Sequence, residues 1–496
     1  MLGPPSLWTA NLLISTLPAA VNAFYPYHPE YERSSNEALS PSHSPHSRRQ
    51  GAASSHNLPS PVLPIRRVPV PRDNIFNILK SEDPKQGNSV AIDQDGTDVS
   101  YMVAVTFGDS KKEYHLLLDS AASNTWVMAR DCPTEACKSH SLFGKEDSSS
   151  LKVQATPFHV TYGTGSVSGV VATDTVYVGP LSAPLTLGLA NNVSQEFSSY
   201  PMDGILGIGR GSKAEGSIDA PSVVEILKSS ALIPNTIYGV HLNRASDGAK
   251  DGELNLGGPN PERYDGDLNY LPLVPNPDGF WEIPVSAVGA GDTDSDIRGD
   301  RTAIIDTGTS FIYMPGPDAD AVHRPIVRSR KSGETYAVPC DTKTLVWLQF
   351  GGQYYNISTV DYIGRDVGDG YCQSLIVGRQ TFGEKQWLVG DVFLKNVYTV
   401  FDNEGGRIGF GVKRTHQEGD GDSSNAPKPS SSANPNASTG SFAPSNTAVP
   451  EGSPSAGAQR GPAGSPSPTG GAAKTPVSLG SLTVSFVIGL VAMHLY

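Results

Sequence analysis

Between Val99 and Val412 the hydrophobic positions fall in short runs, most of them too brief to be helices. Tyr101–Phe107, Tyr114–Leu118, Phe158–Tyr162 and Val170–Val178 are rich in β-branched and aromatic residues and are separated by Gly, Asp, Asn and Pro turns. That is the pattern of short strands. The same texture returns at Thr302–Ile305, Phe311–Met314, Leu345–Phe350, Trp387–Val389 and Val397–Phe401. Helical spacing is confined to Val223–Lys228 and Asp318–Arg328. The pattern predicts an all-β body with a few short helices.

The two ends of the chain break this pattern. An apolar-leaning run from Leu12 to Val21 leads into Val21-Asn22-Ala23, with small residues where a signal peptidase cuts. Residues 1–23 therefore read as a removable secretory signal. Pro, Ser and His dominate residues 24–60 without any period, and dibasic steps stand at Arg48-Arg49 and Arg66-Arg67. Residues 24–87 are expected to be an unstructured N-terminal region and prosegment, and the dibasic steps suit a processing protease. Residues 88–278 and 279–415 are expected to be an N-terminal and a C-terminal β lobe. After Lys413 the chain turns to Ser, Pro, Gly, Asn and Ala, and residues 416–470 read as a stalk. Residues 471–496 combine small residues, a short spacer and a hydrophobic tail from Val477 to Tyr496, with no basic flank after it. This is the pattern of a glycolipid (GPI) anchor signal. A transmembrane helix is the alternative, since about 20 apolar residues can span a bilayer, but a span would normally be followed by Lys or Arg.

Charge and cysteine content narrow the setting. Lys and Arg total 37 against 50 Asp and Glu, a formal charge of −13, which argues against nucleic acid as a partner. Four cysteines in an exported chain allow three pairings. Cys132 with Cys137 would close a small loop and leave Cys340 with Cys372. A zinc site is the rival, but neither cluster has C-x₂-C spacing. Sequons at Asn192, Asn356 and Asn436 are possible glycan acceptors. Asp292-Thr-Asp-Ser-Asp296 lacks the Gly and distal Glu of a calcium loop, no Gly-x-Ser-x-Gly elbow occurs, and His-Glu-x-x-His is missing.

The chemistry is carried by an internal repeat. Leu116-Leu-Leu-Asp119-Ser-Ala-Ala-Ser123 recurs as Ala303-Ile-Ile-Asp306-Thr-Gly-Thr-Ser310, and Asp203-Gly-Ile-Leu-Gly207 is echoed by Trp387-Leu-Val-Gly390-Asp391. Two related lobes would each present one carboxylate, Asp119 and Asp306, from a strand-end turn. Like charges a few ångströms apart resist joint ionisation, so such a pair shares one proton over an acidic range. The ionised member can take a proton from water while the other gives one to a scissile carbonyl. This is the established behaviour of aspartic-protease pairs, and it calls for no metal and no cofactor.

On these residues the chain from about Asn88 to Val412 resembles the pepsin-like aspartic endopeptidases. Asp306-Thr307-Gly308 matches the family's Asp-Thr-Gly; Asp119-Ser120-Ala121 departs from it at the third place, where Ala stands for Gly. Trp126, Tyr162-Gly163-Thr164-Gly165-Ser166, Asp203–Gly209, Phe280-Trp281 and Trp387–Asp391 follow in the family's order. The resemblance implies a bilobal fold with a cleft between the lobes, Asp119 and Asp306 as the catalytic dyad, and Ser120 and Thr307 bracing the two turns. It further implies Tyr162 on a flap over the bound peptide, Gly163 and Thr164 touching substrate, and Thr309 beside the second carboxylate. Protein and peptide substrates follow, with a monomer expected. The stalk and tail resemble fungal surface-anchored (yapsin-like) members, implying a membrane partner through the GPI anchor and an extracellular location. Ala121 also motivates the alternative of a pepsin-fold surface protein that binds peptides and cuts them weakly or not at all, because an added methyl in a tight turn can displace an amide.

Overall fold

The computed structural model describes residues 74–414 apart from 211–216 and 298–299. The signal, the two dibasic steps, most of the expected prosegment, the stalk, the anchor signal and Asn436 lie outside the described residues.

The strands sit where the short hydrophobic runs predict them, extended by a residue or two at several ends: Tyr114–Asp119, Arg301–Ile305, Gln386–Val389 and Val397–Asp402 are examples. The first helix, Val223–Ser229, is started by Ser222 and Glu225, each of which bonds the other's backbone N–H, a capping box. The second runs over Gly316–His323 and stops short of the expected Arg328. Pro325 explains the difference, because its ring has no N–H to continue the ladder and clashes with the preceding turn.

The repeat seen in the sequence is a repeat of topology. In the N-terminal half, Tyr114–Asp119 pairs antiparallel with Tyr101–Phe107 and parallel with Gly204–Gly207; the latter pairs antiparallel with Trp126–Met128, which pairs parallel with Leu181–Val193. In the C-terminal half, Arg301–Ile305 pairs antiparallel with Glu282–Val285 and parallel with Gln386–Val389. That strand pairs antiparallel with Ile312–Tyr313, which pairs parallel with Ile376–Val377. Five strands thus recur in the same order with the same polarities. Asp119 falls opposite Gly207 at the end of one parallel pair, and Asp306 follows Ile305, opposite Val389, at the end of the other.

A six-stranded sheet draws on both halves, with Ser89–Ala91 at one edge and Tyr264–Pro272 at the other. One hydrophobic core runs from Val90 through Leu118, Leu206, Trp281, Ile305 and Leu388 to Phe410, so the two halves share their interior. A second cluster lies within the N-terminal half and joins Trp126, Phe158, Tyr162, Phe197 and Met202. Cys132 is bonded to Cys137, and Cys340 to Cys372.

Candidate active site

Each turn after a candidate aspartate is held by its own backbone. Asp119 Oδ1 accepts from the amides of Ala121 at 2.9 Å and Ala122 at 2.8 Å. Asp306 Oδ1 accepts from the Gly308 amide at 2.8 Å, and Asp306 Oδ2 from the Thr309 hydroxyl at 2.5 Å. A short turn after a strand places two or three amides around one carboxylate, and bonds of this kind favour the charged form.

The turns are then cross-braced. The Ser120 amide donates to Thr307 Oγ1 and the Thr307 amide to Ser120 Oγ, both at 3.0 Å. The Thr307 hydroxyl donates to the Leu118 carbonyl at 2.7 Å, and the Ser120 hydroxyl to the Ile305 carbonyl at 3.3 Å. Four reciprocal bonds therefore tie the two halves at the level of the aspartates. All of these residues are buried, so each bond lost would leave an unpaired polar group at a cost of about 1–3 kcal/mol.

This bracing sets the Asp119 and Asp306 carboxyl groups close enough for each to perturb the other's ionisation. Neither has exposed surface. Burial, reinforced by the neighbouring Asp306 carboxylate, pushes the Asp119 carboxyl well above the usual carboxylate range. Burial likewise pushes Asp306 up to about 7, against the opposing pull of Thr309 and Gly308 as donors. Asp119 Oδ2 meets no donor among the described residues, whereas both oxygens of Asp306 do. The unequal donor set makes Asp306 the easier of the two to ionise.

Ala121 does not disturb this. Its amide reaches Asp119 Oδ1 as the Gly308 amide reaches Asp306 Oδ1, and its methyl joins the core. The matching position cannot take that methyl: a Cβ on Gly308 would lie 2.6 Å from Asp119 Cγ and 2.8 and 2.9 Å from its oxygens. The two motifs are alike in backbone and unlike in clearance.

The hairpin of Lys152–Tyr162 and Gly165–Val178 turns through Gly163-Thr164. Tyr162 is buried, its hydroxyl accepts from Trp126 Nε1 at 2.7 Å, and Trp126 and Tyr162 both pack on Phe197. Gly163 is exposed at the tip, and the buried Thr164 hydroxyl meets no partner among the described residues. Beyond the Asp306 turn, the Ser310 hydroxyl donates to the Val99 carbonyl at 2.5 Å. There a cavity of about 480 Å³ opens, lined among others by Asp98, Val99, Phe311, Ile363, Gln373 and Leu375. Asn192 and Asn356 are exposed on strands, Asn192 donating to Ser168.

Several supporting residues escape sequence reasoning. Asp203 is buried beside the Asp119 strand, where its Oδ2 accepts from the His115 amide and its Oδ1 from the Ser141 amide. Asp318 accepts from Trp387 Nε1 at 2.8 Å and from Arg301 at 2.7 and 3.0 Å. Asp203 and Asp391 end or begin the second repeated motif, and that duplication was the available signal; nothing local marked Asp318. Among the described residues no three His, Cys, Asp or Glu side chains group as metal ligands.

A family model for eukaryotic aspartyl proteases matches residues 100–413. A probable aspartic-type endopeptidase CTSD of Trichophyton verrucosum is 42% identical over 359 residues, 72% of this chain and 69% of that protein. The aspartic-type endopeptidase ctsD of Aspergillus fumigatus is 40% identical over 359 residues, 72% of this chain and 75% of its own. Cathepsin E of Rattus norvegicus is 31% identical over 322 residues, 63% of this chain and 80% of its own.

Proposed function

The chain belongs to the pepsin-like eukaryotic aspartyl protease family and is an aspartic-type endopeptidase, and on that premise we propose that Asp119 and Asp306 are its catalytic pair, working on protein substrates at acidic pH. The observation that carries the reading is a pair of buried, electrostatically coupled carboxyl groups whose turns are locked together by Ser120 and Thr307. A water between the carboxyls gives a proton to the ionised aspartate as its oxygen attacks the scissile carbonyl carbon. The protonated aspartate donates to the carbonyl oxygen. Collapse of the tetrahedral species breaks the C–N bond: the leaving nitrogen takes up the proton from the first aspartate, and a hydroxyl on the tetrahedral carbon returns a proton to the second as the carboxyl product forms. Rigid bracing supports this because the carboxyls need no rearrangement as charge moves.

Substrate reaches the buried pair when the Gly163-Thr164 tip lifts and Tyr162 closes again over the peptide. The cavity beside Ser310 and Phe311 receives a side chain of the peptide, its Val99, Ile363 and Leu375 wall suiting an apolar one. The protein acts as a monomer, is exported, and is held at the cell surface by a GPI anchor. The export and the anchor rest on the signal and tail sequences alone. The inactive-binder alternative loses its motive, since the Ala121 amide keeps its bond to Asp119.

The decisive experiment uses purified, processed protein and a quenched peptide from pH 2 to 7, with a statine-type inhibitor. Cleavage in the acid range, blocked by the inhibitor and reduced at least a thousandfold by Asp119→Asn or Asp306→Asn, is expected for loss of an essential group. Peptide binding without cleavage at any pH would sink the proposal.

A further inference from the structure

The two halves of the internal repeat differ three residues past each aspartate. After Asp306 that place is held by Thr309, and after Asp119 by Ala122. Up to there the turns are alike, since the Gly308 and Ala121 amides each donate to Oδ1 of their own aspartate. At the third place they part. The Thr309 hydroxyl donates to Asp306 Oδ2 at 2.5 Å, whereas Ala122 gives its amide to Asp119 Oδ1 at 2.8 Å and carries only a methyl. Each carboxyl thus has two donors from its own turn, but at Asp119 both crowd one oxygen. Asp119 Oδ2 is buried and meets no donor among the described residues. Ala122 is itself buried, in the N-terminal cluster that holds Trp126 and Tyr162.

A donor on a carboxylate oxygen stabilises the charged form. The Thr309 hydroxyl therefore eases the ionisation of Asp306. An ionised Asp119 would place half its charge on an oxygen that no donor meets, which is costly in a buried site. Neighbouring elements do not replace the missing hydroxyl. Asp119 lies opposite Gly207 on the parallel strand, and Asp203, just before that strand, is engaged by the His115 and Ser141 amides. Tyr162 of the hairpin and Tyr238 of the six-stranded sheet feel the Asp119 charge, but burial pushes both phenols well above their usual range and they stay neutral. Asp391, after the Gln386–Val389 strand, is buried and pushed up as well, and its field reaches Asp306. The charge that acts most on Asp119 is that of Asp306.

We propose that Ala122 sets the upper pH limit of cleavage: with a methyl where the other half has a hydroxyl, Asp119 is the later carboxyl to ionise, and the one-proton state of the pair persists to less acidic pH. The proposal rests on Asp119 and Asp306 being the catalytic pair. Ala122 acts through Asp119 and is a positioning residue. The pair needs one proton, so activity falls on the acid side when both carboxyls are protonated and on the alkaline side when both are ionised. The later ionisation governs the alkaline side. A hydroxyl at 122 would meet Asp119 Oδ2 as the Thr309 hydroxyl meets Asp306 Oδ2, and would draw the alkaline limb down by about one to two pH units. The natural Ala122 suits protein substrates met in mildly rather than strongly acidic surroundings.

The test is kcat/KM on a quenched peptide across pH for the processed wild type, Ala122→Ser, Thr309→Ala and Thr309→Ser. Ala122→Ser is expected to move the alkaline limb toward acid by about one pH unit or more while the acid limb stays nearly in place. An unmoved or raised alkaline limb would overturn the proposal. Thr309→Ala removes the donor from the other carboxyl and should raise the acid limb, and Thr309→Ser, which keeps a hydroxyl, should restore the wild-type profile. An acid limb unmoved by Thr309→Ala would refute the control of ionisation by a hydroxyl at this place, even if Ala122→Ser failed to fold. Thermal unfolding gives a readout that needs no activity. A carboxyl raised by the fold loses its stabilising contribution as pH rises, so Ala122→Ser should lose less Tm than the wild type between about pH 4 and 8. Equal losses would overturn the ionisation order. A wild type that shows this Tm difference from Ala122→Ser but cleaves at no pH would refute the catalytic pair and keep the ionisation order.

Discussion

Gly308→Ala is the substitution on which the geometry speaks most sharply. The added methyl carbon would lie 2.6 Å from Asp119 Cγ, against about 3.5–4.0 Å for a comfortable contact, so a displacement of about 1 Å is required. Asp119 cannot supply it freely, because its Oδ1 is held by two amides and the residue is fully buried. Either the carboxyls part or the Gly308 turn retreats and breaks its 2.8 Å bond to Asp306 Oδ1. Overpacking of this kind costs about 1–3 kcal/mol in stability, and a misplacement of about 1 Å at reacting groups costs on the order of a hundredfold in rate. Thermal unfolding and kcat/KM on a quenched peptide are the assays, with the loss expected mainly in kcat because the peptide-binding surfaces are untouched. Ala121→Gly is the matched control. It removes a methyl that clashes with nothing, so kcat/KM should stay within about threefold, with about 1 kcal/mol lost to chain entropy. Gly308→Ala with near-normal activity and Tm would refute the claimed closeness of the two turns.

Asp306→Asn also tests the electrostatics. The Asp306 carboxyl is raised in the fold, to about 7, so its contribution to stability is fully present below its unfolded value and disappears as pH rises through about 7. The wild type should therefore lose more Tm than Asp306→Asn between pH 4 and 8, and parallel curves would count against the shift. Trp126→Phe removes the donor to the Tyr162 hydroxyl, a bond worth about 0.5–1.5 kcal/mol, and should lower kcat/KM about two- to tenfold with the dyad's pH profile retained. Steady-state kinetics across pH check this. Serine replacement of both Cys340 and Cys372, separated by 32 residues, should cost about 4 kcal/mol, against about 2 kcal/mol for Cys132 and Cys137, separated by 5; denaturant midpoints give the comparison.

The sequence by itself determined where nine of the strands lie, because β-branched runs bounded by Gly, Asp and Pro decide that locally. It also determined that the body is doubled, since the Asp119 and Asp306 segments and their downstream partners are near-copies in the same order. Helix ends were less legible: Asp318–Arg328 carries helical spacing, but Pro325 ends the helix near His323. Only the tertiary structure decided what each copy can tolerate. Ala121 and Gly308 occupy equivalent places, yet one points its Cβ into the core and the other would drive it into the opposite carboxylate. That clearance depends on what the other half of the molecule puts there. The same holds for the bond between Asn74 and Asp203, which are 129 residues apart. Local pattern fixes an element's type, whereas the fate of a buried polar group or a single methyl is set by neighbours that only folding brings into contact.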